Sequence, residues 1–154
     1  GNPMQMTQED WDAWEKAMLS GKRKLKHRLA DGHGGFCTIG LLIDTQVEKE
    51  HIQVELRTDD PSIQVKYDGT GYLLPRKLQK KFSARGEGTH FPLSLLSEDQ
   101  RRLILTKRRN TGHISDLTSI FELNPLFSFE EICEILKKVV VIINNYEERI
   151  PVCK

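Results

Sequence analysis

Residues 51–67 read HIQVELRTDDPSIQVKY, and this stretch decides the fold class. Apolar and polar residues alternate on both sides of the turn-forming segment 59–62, which is the period of two expected of β-strands. The alternating apolar residues are Ile52, Val54, Leu56, Ile63, Val65 and Tyr67. The pattern predicts an antiparallel β-hairpin in the middle of the chain.

A helix is predicted on the N-terminal side of the hairpin, over residues 8–20. Thr7 has the side chain of an N-cap, the tryptophans and Met18 follow at helical spacing, and Gly21 provides a stop. Trp11 and Trp14 share one face of this helix. They either anchor it to the core, which is the more common role of aromatic residues, or form a patch for a partner.

The chain after the hairpin carries several helix signals. Pro75 can open a short helix that ends near Phe82, and capping-box spacing begins helices at Ser97 and at Ser128. Between these two, Ser115 or Asp116 is expected to cap a short helix that ends at Leu123, and the last helix is expected to continue to about Asn144. The fold class predicted is α+β, with an N-terminal helix, a central antiparallel β-hairpin or small sheet, and a helical C-terminal half packed on it.

One apolar stretch is not assigned by its pattern. Residues 36–44, FCTIGLLID, are almost continuously apolar, so their periodicity does not distinguish a buried helix from a buried strand. Both alternatives stay open, and either places this segment in the core.

Length and composition suggest an ordinary globular domain. The chain has 154 residues and a net charge of +1, and no apolar run approaches the roughly 20 residues that cross a bilayer. Residues 1–3, Gly-Asn-Pro, are typical of an expression scar, so a single domain is expected over 4–154. Three distant cysteines and no visible secretory signal favour reduced thiols in a cytosol, with no membrane contact.

Four segments occur in an order that resembles a family of small bacteriophage and prophage proteins of uncharacterised role. They are WEKAMLSG at 14–21, FCTIGLL at 36–42, YLLP at 72–75 and SFEEIC at 128–133. The family pattern is a tryptophan helix ending A-L-x-S-G, then F-C-C-L-G-V-L, Y-L-P and S-F-x-E-I-A, and Thr38 replaces its second cysteine. The resemblance implies a phage or prophage origin and a location in the cytoplasm of the bacterial host. It implies no catalytic residue.

Cys37 is the residue with the most plausible catalytic setting. It follows a glycine-rich turn and could begin a helix whose dipole lowers the pKa of the thiol. His90 or His33 could then act as its base, although neither lies in a recognisable hydrolase pattern. The alternative is that Cys37 is an inert core residue, as free cysteines in apolar runs usually are. No metal or cofactor is predicted, because His33 and Cys37 have no evident further ligands.

Three basic clusters are stronger candidates for a binding site. They comprise Lys22, Arg23, Lys24, Lys26 and Arg28; Arg76, Lys77, Lys80 and Lys81; and Arg101, Arg102, Lys107, Arg108 and Arg109. If they converge on one face they could bind phosphate groups, whereas pairing with the acidic residues at 48–60 and 130–148 would make them solvated ion pairs. The sequence pattern does not give the positions of the three clusters relative to one another.

These observations lead to one main hypothesis and two alternatives. The main hypothesis is a non-enzymatic binding protein that acts on a host protein or captures a small anionic ligand through its basic loops. The alternatives are a cysteine-dependent hydrolase or transferase that uses Cys37, and nucleic-acid binding through the basic clusters. The oligomeric state stays open.

Overall fold

The computed structural model describes residues 3–57, 59, 62 and 64–149. Its helices are α1 Gln8–Met18, α2 Thr38–Gln46, α3 Arg76–Phe82, α4 Glu98–Arg108, α5 Ile120–Leu123 and α6 Phe129–Val139, with 3-10 turns at Leu93–Leu95 and Tyr146–Glu148. Its strands are β1 Gln5–Thr7, β2 Arg23–Lys24, β3 Gly35–Phe36, β4 Val54–Leu56, β5 Val65–Tyr67, β6 His90–Pro92, β7 Leu117–Ser119 and β8 Val141–Ile143. The α+β class is confirmed. Within the described ranges, no helix combines the length and the apolar character needed to cross a bilayer.

The strands form two-stranded sheets. β4 pairs antiparallel with β5, which confirms the central hairpin, and β6 pairs antiparallel with β7. β1 and β8 pair in parallel, as do β2 and β3. The predicted turn at 59–62 lies partly outside the described residues, as do Ile63 and Cys153. Val54 and Leu56 are exposed, so the hairpin buries its inner face through β5 rather than through both strands.

The buried apolar faces of α1, α2 and α6 form the centre of the core. Trp11 and Trp14 are both buried, and the Trp14 indole N–H donates to the carbonyl of Thr38 at 3.0 Å. Thr7 caps α1 by accepting from the Asp10 N–H, while Ser128 and Glu131 form a capping box on α6. The core role of the two tryptophans is therefore confirmed.

The apolar stretch at 36–44 contains the end of β3 and most of α2. Cys37 is the N-cap residue, and its sulfur accepts a hydrogen bond from the Gly40 N–H at 3.3 Å. α2 is buried on nearly every side, which removes the polar stripe that normally reveals helical periodicity. This is the physical reason that the pattern alone left helix and strand undecided.

Two boundaries predicted for the C-terminal half are wrong. The last helix ends at Val139 rather than near Asn144, because residues 141–143 pair with β1 at the other end of the chain. Neither Ser115 nor Asp116 caps a helix, because β7 forms there against β6 and Ser119 caps α5 instead. In both places a long-range strand partner overrides the local helix signal.

Candidate functional site

A cleft of about 620 Å³ lies where α4, the β6–β7 pair, α5 and the segment between β2 and β3 meet. α4 contributes Ile104, Lys107 and Arg108, whose spacing of i, i+3 and i+4 places them on one face of the helix, and Thr111 lines the cleft from the turn that follows. The volume is within the usual range of small-molecule sites, about 300–1,000 Å³. The cleft is therefore large enough to hold a ligand.

A buried ion pair forms part of its wall. The Arg108 guanidinium binds the Glu122 carboxylate in bidentate fashion at 2.6 and 2.8 Å and also donates to the carbonyls of Ser115 and Leu117. Burial raises the pKa of Glu122, but the hydrogen bonds from Arg108 and Thr118 outweigh it, so this pKa lies below its ordinary value. Arg108 is thus fully engaged within the protein and holds the chain between α4 and β7 in place.

The rim of the cleft carries basic side chains that, unlike Arg108, are exposed. Lys107, His27 and His113 all line it and are exposed. Among the described residues, none of these three side chains has a hydrogen bond or an ion pair, although the His113 charge acts electrostatically on Glu122. The rim can therefore interact with an incoming anion without first breaking a contact.

His90, a candidate from the sequence, lies in this cleft. Its Nε2 is 3.4 Å from the Glu87 carboxylate, and its Nδ1 is buried with no hydrogen-bond partner among the described residues. In the register of the β6–β7 pair, Ser119 is directly opposite His90, and both residues line the cleft. One wall therefore combines an imidazole, a carboxylate and a hydroxyl.

The structure does not assemble a nucleophilic site around Cys37. Its thiol is buried, and burial raises the pKa to about 11 although the Gly40 and Ile39 N–H groups lower it. The predicted lowering of this pKa by the helix dipole is therefore wrong. Within the described ranges, no hydrogen bond joins Cys37 to His33, which is exposed, or to His90. Cys37 faces a small cleft with Lys26 and Phe121 instead.

The Cys37 thiol is expected to resist alkylation in the folded protein, since a buried thiol with a raised pKa offers little thiolate. Iodoacetamide treatment followed by peptide mapping should leave the peptide that contains Cys37 unmodified without denaturant and fully modified in guanidinium. Mapping separates its signal from those of Cys133 and Cys153. Rapid labelling of Cys37 in the native state would contradict this assignment.

Many of the predicted basic residues are engaged inside the protein. Arg23 pairs with Asp31 at 2.5 Å, Lys81 with Glu50 at 2.5 Å and Arg102 with Asp99 at 3.1 Å. Other contacts are Lys22 over the Phe36 ring, Lys24 to the Asn124 carbonyl, Arg28 to Gln64, Lys77 to Asp68 and Arg101 to the Leu96 carbonyl. Contacts within the protein, only some of which are ion pairs, thus engage part of the cationic sequence.

The three clusters contribute unequally to the cleft. The third supplies Lys107 and Arg108, and the first supplies the neighbouring His27, while Lys26 lines the adjacent small cleft. None of the second cluster lines the main cleft, and Lys77 and Lys81 lie against acidic groups elsewhere. Neither Arg76 nor Arg109 lines it.

Sequence reasoning missed much of this site. The α4 stripe was detectable from its spacing, but His27, Glu87, His113 and Ser119 lie in short segments that carry no motif. Among the described residues, no group of three or more His, Cys, Asp or Glu side chains is placed to hold a metal ion. Comparisons with protein-family models, curated proteins and solved structures found no match for this chain.

Proposed function

We propose that this protein is a non-enzymatic binding protein that captures a small anionic ligand in the cleft beside α4. One observation carries the proposal: the buried Arg108 is neutralised by Glu122, whereas the basic groups on the rim have no side-chain partner among the described residues. With the histidines neutral, the formal charges of Lys107, Arg108, Glu87 and Glu122 in the lining cancel, so the attraction of an anion would come from the Lys107 ammonium at the rim.

The difference between Arg108 and Lys107 matters because the two residues are adjacent on α4. Pairing with Glu122 compensates the charge of Arg108, so this residue contributes rigidity rather than attraction. Lys107 keeps a mobile, solvated ammonium group, which can approach a phosphate, sulfate or carboxylate as a point charge. His27 and His113 can add hydrogen-bond donors to the same anion.

The ligand is also expected to have an apolar part. Phe121, Pro125 and Leu126 line the cleft on the α5 side, and Phe121 keeps 37% of its surface exposed. Small-molecule sites commonly combine such an apolar wall with a few polar groups that set orientation. A concave cleft with this lining suits a small molecule, which is the occupant that we propose.

Replacing Lys107 with alanine is expected to weaken binding of phenyl phosphate by roughly 3- to 10-fold, because one solvated charge contact is lost. Phenyl phosphate is a suitable probe, since it combines an anionic group with a flat apolar ring. NMR titration of amide resonances measures weak affinities and localises the binding to residues. Wild-type protein should show shifts at His90, Lys107 and Phe121.

Lys138→Ala is the matched control. Lys138 is an exposed lysine on α6 that does not line the cleft, so the same charge change there should leave the affinity unchanged. The absence of any shift around the cleft, or an equal loss of affinity in both variants, would contradict the proposal. Native mass spectrometry of freshly purified protein would then show whether a ligand of another class co-purifies.

We further propose a bacteriophage or prophage origin, which is supported by the resemblance of the four sequence segments. A catalytic role for Cys37 loses support from the burial of its thiol. Nucleic-acid binding loses support because contacts within the protein engage part of the basic sequence and the second cluster does not line the cleft.

A further inference from the structure

We infer that anion capture by the cleft is coupled to proton uptake at its rim, with His27 and His113 becoming charged as the ligand binds. This inference rests on the proposed function and adds the regulation of the same site. It starts from two observations about the lining. Its fixed charges cancel, and three of the five histidines of the chain line this one cleft.

The fixed charges of the lining give little net attraction for an anion. Glu122 compensates Arg108, and Glu87 is a second carboxylate in the lining that opposes the charge of Lys107. Histidine is the side chain that ordinarily changes its charge between about pH 5 and 8, so its protonation can give the lining an excess of positive charge within that range. The affinity for an anion should then depend on how many lining histidines are protonated.

Two of the three histidines stand at the rim and are open to solvent. His27 comes from the segment between β2 and β3, and His113 from the turn after α4, so two separate parts of the chain supply them. Both side chains are exposed, and neither has a hydrogen bond or an ion pair among the described residues. A proton added to either ring can therefore be donated to an anion in the cleft.

His90, the third histidine of the lining, is not assigned this role. Its Nδ1 atom is buried, so a ligand in the cleft cannot reach it, and its Nε2 atom lies 3.4 Å from the Glu87 carboxylate. A positive charge on this ring would be compensated by Glu87 and would add little attraction at the rim. Glu87 is exposed and repels an anion, so the anionic group of the ligand is expected to lie near Lys107 and the two rim histidines.

Other charged groups surround the two rim histidines and come from several segments. They are Lys26 and Arg28 beside His27, Lys107 and Arg108 on α4, Asp116 after His113, and the lining carboxylates Glu87 and Glu122. Burial raises the pKa of Glu122 and its contacts with Arg108 lower it, and the charge of His113 lowers it further, so His113 is within electrostatic range of that ion pair. The cations of this set oppose protonation of a nearby histidine, and a bound anion reduces that opposition.

The sign of the coupling follows from linkage between the two binding events. An anion that binds more tightly to the protonated rim raises the proton affinity of the rim histidines, and a proton raises the affinity for the anion by the same factor. Binding should therefore be tightest at the acidic end of the range from about pH 5.5 to about pH 8.5 and weaken as the pH rises.

Benzenesulfonate is the probe for the test, because a sulfonate keeps its single negative charge over this range, whereas a phosphate monoester loses charge near pH 6. NMR titration at constant ionic strength should show roughly tenfold tighter binding by wild-type protein at about pH 5.5 than at about pH 8.5. The double variant His27→Gln, His113→Gln should show less than about a twofold difference between the same two pH values. Both positions are exposed, so this variant is expected to keep the fold, which its amide spectrum checks.

His33→Gln is the matched control, since His33 is exposed and does not line the cleft, and it should keep the full difference. Equal affinity of wild-type protein at the two pH values overturns the inference while the proposed function stands. An undiminished pH dependence in the double variant also overturns it, because the coupling would then belong to other groups. If benzenesulfonate and phenyl phosphate shift no cleft resonance at either pH, the proposed function itself fails.

Discussion

Asp10→Ala is expected to lower the free energy of unfolding by about 3–5 kcal/mol, the usual effect of removing one partner from a buried charged network. Asp10 is buried in α1 and accepts hydrogen bonds from Tyr146 Oη, from Gln46 Nε2 at 2.8 Å and from Lys49 Nζ at 3.1 Å. The Lys81 ammonium lies 3.4 Å away. This one carboxylate therefore connects α1, α2, α3 and the Tyr146–Glu148 turn.

The loss should be large because Lys81, one of the groups around Asp10, has little access to water. The Lys81 side chain is only 14% exposed, and its ammonium lies over the rings of Phe82 and Tyr146. Removing Asp10 leaves this charge with Glu50 as its remaining counter-ion and leaves the Tyr146 hydroxyl without its acceptor. The Tyr146 hydroxyl then bears an uncompensated cost of desolvation, and Lys81 loses one of its two counter-ions.

The same network makes stability depend on pH. Burial raises the pKa of Asp10, but the hydrogen bonds from Tyr146, Gln46 and Lys49 and the charge of Lys81 outweigh it and lower the pKa to about 2. Because the folded-state pKa lies below the ordinary value of 3.8, the contribution is fully present above about pH 4 and is lost as the pH falls through about 2. This shift of the Asp10 pKa corresponds to about 2 kcal/mol of stabilisation of the folded state.

Urea denaturation of wild-type protein, Asp10→Ala and Asp12→Ala, followed across the acidic range, measures both effects. Asp12 is an exposed residue of the same helix that contacts Gln8, so its replacement should change stability by less than about 0.5 kcal/mol. Wild-type protein should lose stability between pH 4 and 2, and Asp10→Ala should lose less stability over the same range. Equal stabilities of the two variants at neutral pH would show that the network contributes little.

Gly40→Ala is expected to destabilise the protein by about 3 kcal/mol or more, which lowers the thermal midpoint by roughly 6–12 °C. A Cβ built on Gly40 would overlap the Leu29 carbonyl oxygen and come within 2.7 Å of its carbon. That carbonyl accepts the Cys37 N–H at 3.2 Å, so it cannot move away without losing a hydrogen bond at the start of α2. The clash is with backbone, which gives way less easily than a side chain.

Gly86→Ala is the control for this substitution. Its added Cβ would meet Leu73 side-chain atoms at 3.4 Å, a distance that a small side-chain adjustment relieves. Thermal unfolding followed by circular dichroism should show a change of less than about 1 kcal/mol for Gly86→Ala. If Gly40→Ala unfolds at the wild-type temperature, α2 and the Leu29 segment are not packed as closely as the structure shows.

Those parts of the fold that depend on neighbouring residues were predictable. The caps at Thr7, Ser97 and Ser128 are local hydrogen bonds, and each lies where its spacing predicts. The β4–β5 hairpin was also found, because both strands and their turn lie within 17 consecutive residues, 51–67. Pairing of β1 with β8 was missed, because Gln5 and Val141 lie near opposite ends of the chain and no local pattern connects them.

The candidate site also has some features that the local sequence predicts and others that depend on the tertiary structure. Residue types in the chain led to the hypothesis that its basic groups bind a ligand, and His90 was named only as a possible base for Cys37. Only folding could separate Arg108, which Glu122 neutralises, from Lys107, which keeps an open charge, since the two are adjacent in sequence. Likewise, the opposition of His90 and Ser119 arises from the β6–β7 register, a contact between segments that carry no shared motif. Local patterns specify helices, turns and charge, whereas burial and charge compensation depend on partners brought together across the chain.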